Sequence, residues 1–300
     1  MAVNSPDSST SNAPASPPGA PESGAGDAAA LYGAAPRKKV TISTLERMKA
    51  TGDRFACITA YDATFARLID EAGAETMLVG DSLGMVLQGH DSTLPVTIDD
   101  MAYHTSCVTR ARPSALVMVD MPFMTYGSVE EALQNAATLM RAGAQMVKLE
   151  GGVWLSDTIH ALTERGIPVC AHLGLTPQSV NVFGGYRVQG RTPKQAKSIL
   201  ADANEIQDAG ASVLLLECIP APLATDISRK VDIPVIGIGA GPGTDAQVLV
   251  MHDLLGLGTH TPRFVENFMR EGRTIQEALT AFVTAVRSGA YPRPEHIYEA

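Results

Sequence analysis

Three stretches of the chain repeat one pattern of apolar and polar positions: Glu71-Ala-Gly-Ala-Glu-Thr-Met-Leu-Val-Gly-Asp81, Arg141-Ala-Gly-Ala-Gln-Met-Val-Lys-Leu-Glu150 and Asp208-Ala-Gly-Ala-Ser-Val-Leu-Leu-Leu-Glu217. In each, a helical pattern closes at Ala-Gly-Ala, a short and largely apolar run follows, and an acid ends the run. Glycine after the last helical turn stops a helix, and a short continuous apolar run fits a strand buried on both faces, as in a parallel sheet. Apolar runs alternate with helical patterns about eight times along the chain. They predict strands at 55–60, 76–80, 116–120, 146–150, 168–173, 213–217, 234–239 and 248–254. Helices fall between them, for example at 63–72, 99–110, 129–142, 193–209 and 274–288. Eight βα repeats in roughly 250 residues predict the α/β class and a (β/α)8 TIM barrel, with an open doubly wound sheet as the weaker choice. Ile42, Leu45 and Met48 recur at i, i+3 and i+6 behind hydroxyl caps in Thr41-Ile-Ser-Thr-Leu-Glu-Arg-Met48, which predicts a short helix ahead of the barrel.

The first 36 residues break this pattern. They are rich in Ala, Pro, Ser and Gly, have almost no large apolar side chains, and so cannot offset the entropy of ordering. Residues 1–36 are expected to be a disordered tail, and residues 37–300 a single barrel domain. Composition narrows the function classes. A net charge of −9 argues against a phosphate-backbone binder, and the longest basic run is Arg37-Lys38-Lys39, so nucleic acid is not an expected partner. Neither a membrane span nor a signal peptide is visible, which predicts a cytoplasmic protein. Cys57, Cys107, Cys170 and Cys218 are scattered without C-x-x-C spacing, as expected of buried thiols in a reducing compartment rather than a zinc site.

The chemistry-bearing residues stand at the predicted strand ends: Asp81, Asp120, Lys148 with Glu150, His172 and Glu217. Any one of them could simply cap the next helix. Five strand ends carrying ionisable groups instead concentrate charge in one cleft, where a metal, a substrate or a partner must satisfy it. Oxygen ligands without neighbouring cysteine suit a hard cation such as Mg2+, with Asp81 and Asp120 as the candidate ligands. A 2-oxo acid could chelate that ion, and the ion would stabilise the enolate formed when the adjacent carbon loses a proton. Lys148 would offset carboxylate charge. Glu150 lies two residues further along the same strand, on the same face, either behind a metal-bound water or simply paired with Lys148. Glu217, closing a run of leucines, would have a raised pKa suited to acid/base work near neutral pH. Two glycine-rich segments are less specific. Gly237-Ile-Gly-Ala-Gly-Pro-Gly243 reads better as a tight loop than as a phosphate cradle, and His172-Leu-Gly-Leu-Thr-Pro177 opens a loop containing Phe183-Gly-Gly-Tyr186 that is able to move over a substrate.

Read in order, these residues resemble the ketopantoate hydroxymethyltransferase family over about residues 40–296. The resemblance is carried by Thr59-Ala-Tyr-Asp62, Val79-Gly-Asp-Ser-Leu-Gly84, Asp120-Met-Pro-Phe123, Val147-Lys-Leu-Glu-Gly-Gly152, Ala171-His-Leu-Gly-Leu-Thr-Pro-Gln-Ser179, Phe183-Gly-Gly-Tyr186, Leu216-Glu-Cys218 and Ile236-Gly-Ile-Gly-Ala-Gly241. It implies a (β/α)8 barrel that uses Mg2+ and takes a hydroxymethyl group from 5,10-methylenetetrahydrofolate to C3 of 3-methyl-2-oxobutanoate, giving 2-dehydropantoate. By its motifs Asp81 and Asp120 match metal ligands, with Glu150 also associated with the metal. Asp81, Ser82, Asp120 and Lys148 match substrate-contacting positions, His172 lines the same pocket, and Glu217 matches the proton acceptor. A cytoplasmic homo-oligomer, a decamer, is implied as well. Two other classes compete. One is a Mg2+-dependent carbon–carbon lyase or phosphonomutase acting on a 2-oxo acid, which needs no folate; the other is a binding or regulatory protein on an inherited barrel.

Overall fold

The structure is a computed structural model that describes residues 37–258 and 261–299, so the expected tail at 1–36 lies outside the described residues. Eight strands form in chain order: β1 (Phe55–Thr59), β2 (Thr76–Val79), β3 (Leu116–Asp120), β4 (Met146–Glu150), β5 (Val169–Gly174), β6 (Val213–Glu217), β7 (Val235–Ile238) and β8 (Ala246–Leu249). Each pairs parallel with the next, and β8 pairs with β1, so the sheet closes into a barrel. This is the (β/α)8 barrel that the apolar periodicity predicts. Prolines set two strand starts. Pro168 and Pro234 have no N–H to give the ladder, so β5 and β7 begin one residue later, while the proline carbonyls still accept from Val147 and Leu214.

Alternation along each strand sorts the side chains. Ala56, Ile58, Met77, Val117, Val119, Val147, Leu149, Ala171, Leu214 and Leu216 face outward into the layer shared with the helices. Phe55, Cys57, Leu78, Leu116, Met118, Met146, Cys170, Val213, Leu215, Ile236 and Val248 face inward and fill the lumen. Two-residue spacing then carries the inward row to Asp120, Lys148, Glu150, His172 and Glu217 at the upper end. The lower end is stoppered by the helix Ile42–Thr51, whose Leu45 is fully buried against the lumen side chains, with Val40 before it. The helix expected there from Ile42, Leu45 and Met48 therefore has a definite task. Among the described residues no helix is long and apolar enough to cross a membrane. Of the four cysteines, Cys57, Cys170 and Cys218 are buried, while Cys107 is half-buried.

Two departures from the sequence expectation occur at the end of the barrel. The strand expected at 248–254 is instead β8, at Ala246–Leu249, followed by the short helix Met251–Leu254. An apolar run does not reveal whether it is extended or helical. Here the chain leaves the ladder at Val250, and the Met251 N–H donates to the Thr59 hydroxyl at 2.8 Å instead of to the sheet. The link from β7 to β8 also lacks a helix. Residues 239–245 form a tight loop in which Gly241 has φ 77°, and a Cβ there would run into Ala221. Close packing and a left-handed backbone thus account for this glycine-rich segment.

Candidate active site

All of the sequence-predicted site residues line one cavity of about 740 Å³ at the C-terminal end of the barrel: Asp81, Ser82, Asp120, Lys148, Glu150, His172 and Glu217. Helix capping does not explain them. The helices after β1 and β3 are capped by Asp62 and Ser128, and Ser82 makes no capping bond although it precedes a short helix. Its hydroxyl instead lies 2.9 Å from that of Tyr61.

Asp120 ends β3 directly in register with Lys148 on β4. Its Oδ1 accepts from Lys148 Nζ at 2.5 Å, and its Oδ2 accepts from the Asp81 backbone N–H at 3.0 Å. Burial would strip the Lys148 ammonium of its proton, but the nearby Asp120, Glu150 and Asp81 carboxylates outweigh it and raise its pKa. Lys148 therefore stays charged. The Lys148–Glu150 pair is the looser contact, at 3.9 Å. Asp81 accepts from Gln178 Nε2 at 2.8 Å. Its pKa stands well above the ordinary carboxylate value, first through burial and then through repulsion by Asp120 and Glu150. Glu150 accepts from the Gln178 backbone N–H at 2.9 Å, and burial pushes its pKa up to about 7.

His172 stands between two acids. Nδ1 lies 3.3 Å from Glu150 and Nε2 lies 3.3 Å from Glu217, yet neither contact has the alignment of a hydrogen bond. Burial, aided by the Lys148 charge, lowers its pKa and favours the neutral ring. Glu217 is 16% exposed and faces the cavity. Burial raises its pKa, and the His172 contact only partly offsets that. Gly174 makes this approach possible. Its φ of 92° and lack of a side chain let β5 pass the Glu217 carbonyl, which any Cβ would overlap.

Four carboxyl groups thus face one ammonium in a largely buried cleft, an arrangement that calls for a further cation. The donors are oxygens, as a hard ion prefers, and Asp81 and Asp120 adjoin through the backbone bond. Among the described residues no group of three or more His, Cys, Asp or Glu side chains could hold a metal alone. Water or substrate oxygens would complete the shell, the usual arrangement for Mg2+. Zinc, with its three or four nitrogen and sulfur ligands, fits poorly.

Sequence reasoning passed over Gln178 and Tyr126. Gln178 is buried on the turn after β5 and touches two of the acids; Tyr126 is buried beneath Trp154, with stacked rings 6.3 Å apart. The signal for Gln178 was its place within the motif Ala171-His-Leu-Gly-Leu-Thr-Pro-Gln-Ser179, where nothing distinguishes it from its polar neighbours Thr176 and Ser179. Tyr186, from the glycine-rich loop after β5, also lines the cavity, and its hydroxyl reaches the Met85 sulfur at 3.4 Å.

A closed parallel barrel with ionisable side chains gathered at the C-terminal ends of its strands defines a TIM-barrel enzyme. The profile of the ketopantoate hydroxymethyltransferase family matches residues 39–294, and the chain belongs to that family. It is 60% identical over 262 residues to the 3-methyl-2-oxobutanoate hydroxymethyltransferase of Marinobacter nauticus, covering 87% of this chain and 99% of the relative. The enzyme of the same name from Cronobacter sakazakii is 56% identical over 262 residues, with the same coverage. Solved structures share the barrel at much lower identity. Phosphoenolpyruvate phosphomutase from Streptomyces platensis aligns with a TM-score of 0.55 at 15% identity, covering 72% of this chain and 82% of that one. A 2,3-dimethylmalate lyase of the PEP mutase/isocitrate lyase superfamily aligns at 0.53 and 18%, covering 72% and 83%. At that distance the likeness is one of fold.

Proposed function

We propose that Glu217 removes the C3 proton of 3-methyl-2-oxobutanoate and that Asp81 and Asp120 hold a Mg2+ ion beside it. The chain is a hydroxymethyltransferase whose reaction takes a one-carbon unit from 5,10-methylenetetrahydrofolate to C3 and yields 2-dehydropantoate, the ketopantoate of pantothenate synthesis. What supports the residue roles is the meeting of all seven sequence-predicted side chains in one cavity.

Bound Mg2+ supplies a Lewis acid that offsets the negative charge developing on the oxo acid. Glu150 stands behind the two aspartates, its carboxylate fixed by the Gln178 N–H. Lys148 holds Asp120 and counters the substrate carboxylate. Ser82, braced by Tyr61, offers its hydroxyl to the substrate. Glu217 carries a raised pKa, so its carboxylate is a stronger base than an exposed glutamate, and the neutral His172 ring lies beside it at 3.3 Å. After the C3 proton passes to Glu217, the electron pair left at C3 attacks the methylene carbon of the folate. A new carbon–carbon bond forms, both carbon–nitrogen bonds of the donor's methylene bridge break, one water provides the hydroxyl oxygen, and the two freed folate nitrogens take up one proton from that water and the one held by Glu217. The 740 Å³ cavity has room for both substrates. The same reading takes residues 37–300 as one catalytic domain of a cytoplasmic homo-oligomer, a decamer, whose mass sedimentation velocity measures.

The test is a proton NMR time course of 3-methyl-2-oxobutanoate with the protein, Mg2+ and methylenetetrahydrofolate in D2O. The expected result is loss of the C3 proton together with growth of a hydroxymethyl signal. Omitting Mg2+ should suppress both. Loss of the C3 proton without that product would instead favour a lyase-type reaction on the same barrel.

A further inference from the structure

Gln178 makes contacts at the ends of three strands at once. Its Nε2 donates to Asp81 Oδ2 at 2.8 Å and to the Met121 carbonyl, next to Asp120, at 2.9 Å. Its backbone N–H donates to Glu150 Oε2 at 2.9 Å. The amide orientation is not free. The Met121 carbonyl can only accept, so the NH2 group must face it, and the Tyr126 hydroxyl donates to Oε1 from the other side. Tyr126 is itself anchored, since the Glu150 N–H donates to its oxygen at 3.3 Å and its ring lies against Trp154.

We infer that Gln178 is a positioning residue: its amide, set by Tyr126, holds one oxygen of Asp81 so that the carboxylate presents the other to the cation. The inference rests on the assignment of Asp81 and Asp120 as the cation ligands. Partners that orient a ligating group in this way typically change metal affinity about 10–100-fold when removed. The glutamine also joins the turn after β5 to the acids of β2 and β4, which gives its buried polar side chain partners on both.

The probe is Mn2+, titrated into the full-length protein without either substrate and followed by electron paramagnetic resonance. Gln178→Met keeps the side-chain volume and the backbone bond to Glu150 but removes the amide. It should weaken Mn2+ binding by about tenfold or more. Excess Mg2+ should restore much of its lost kcat, a rescue that a purely structural defect would not show. Emission from Trp154, the sole tryptophan, should stay near wild type and confirm that the packing around Tyr126 persists. If Gln178→Met does not fold, Tyr126→Phe decides, because it removes the donor that anchors the amide oxygen and so loosens the amide while preserving the ring stack; a weaker Mn2+ affinity supports the inference. Affinity within about twofold of wild type in the folded variant overturns it. Wild-type protein that binds no Mn2+ overturns the cation-ligand assignment and this inference together, whereas wild-type binding matched by the variant overturns this inference alone.

Discussion

Glu75 lies just before β2 and Asp81 just after it, and both carboxylates are buried, yet they are kept in opposite ways. Glu75 accepts from Arg287 Nε at 3.0 Å and from the Ala56 N–H at 2.9 Å, so an arginine and a backbone donor satisfy it completely. Asp81 shares a single ammonium, Lys148, with Asp120, Glu150 and Glu217. Similar contrasts hold elsewhere. At the lower end Asp245 has Lys49 and the Val235 N–H, and Asp70 accepts from the Ser114 and Ala115 N–H groups. At the upper end burial raises Asp81, Glu150 and Glu217 above ordinary carboxylate pKa values. Acids paired within the fold stabilise it, while acids left short of positive charge cost stability and are kept for what they bind.

Glu217→Gln tests the upper end with the largest expected effect. A kcat loss of about 10²–10⁴ is expected with little change in oxo-acid affinity, because proton transfer is expressed in the transition state. Equal losses in kcat and affinity would remove the acid/base role. The wild-type kcat/KM profile should fall on its acidic side through a pKa above that of an exposed glutamate, since a base must be deprotonated and burial raises this one. Stability has the opposite dependence. A carboxyl whose folded pKa is raised binds its proton more tightly in the fold, so its contribution is favourable at low pH and is lost as pH rises from the unfolded to the folded pKa. Above neutral pH, Glu217→Gln should therefore match or exceed wild type in denaturant melts.

Arg287→Met tests the lower end. It strands Glu75 as a buried charge, and breaking a fully buried pair costs about 3–5 kcal/mol. Because the Arg287 side chain is 45% exposed, water screens part of the pair and a cost of about 2 kcal/mol is expected. Thermal melts should shift down by several degrees while kcat at 25 °C stays at the wild-type value. A large fall in kcat without loss of folded protein would mean that the two ends are not separate in function.

The sequence disclosed these two ends unequally. Strand ends were legible because five of the eight predicted strands carry an ionisable residue at or beside their C-terminal ends, and a period of two then puts Lys148 and Glu150 on one face. Nothing local marked the pairing of Glu75 with Arg287, which are 212 positions apart and meet only when the last helix, Ile275–Ser288, packs beside β1. Gln178 was hidden for a related reason. A glutamine in a loop is ordinary until three strand ends surround it, and the setting of its amide depends on Tyr126, 52 residues away. The boundary of β8 was misplaced because an apolar run does not say whether it is extended or helical, and the Thr59 hydroxyl, on the opposite side of the sequence, decides the matter.

Lys49→Met is the smallest and sharpest test of the separation. Lys49 Nζ donates to Asp245 Oδ2 and to the Ser228 carbonyl, each at 2.8 Å, and so ties the helix Ile42–Thr51 to the floor of the barrel. Methionine preserves the apolar stem that lies along the helix, so only the ammonium is removed. Asp245 keeps the Val235 N–H, and at 19% exposure it retains some access to water. The loss should therefore be about 1 kcal/mol, well short of the cost of a stranded interior charge. Hydrogen exchange should quicken first in the helix Ile42–Thr51, while Mg2+ affinity and kcat stay unchanged. That combination is informative because lumen side chains such as Cys57, Met118 and Leu215 connect this plug to the acid-bearing end of the barrel. A change in cation affinity in Lys49→Met would show that the lumen transmits strain from floor to rim, and the division between a stabilising end and a reactive end would then fail.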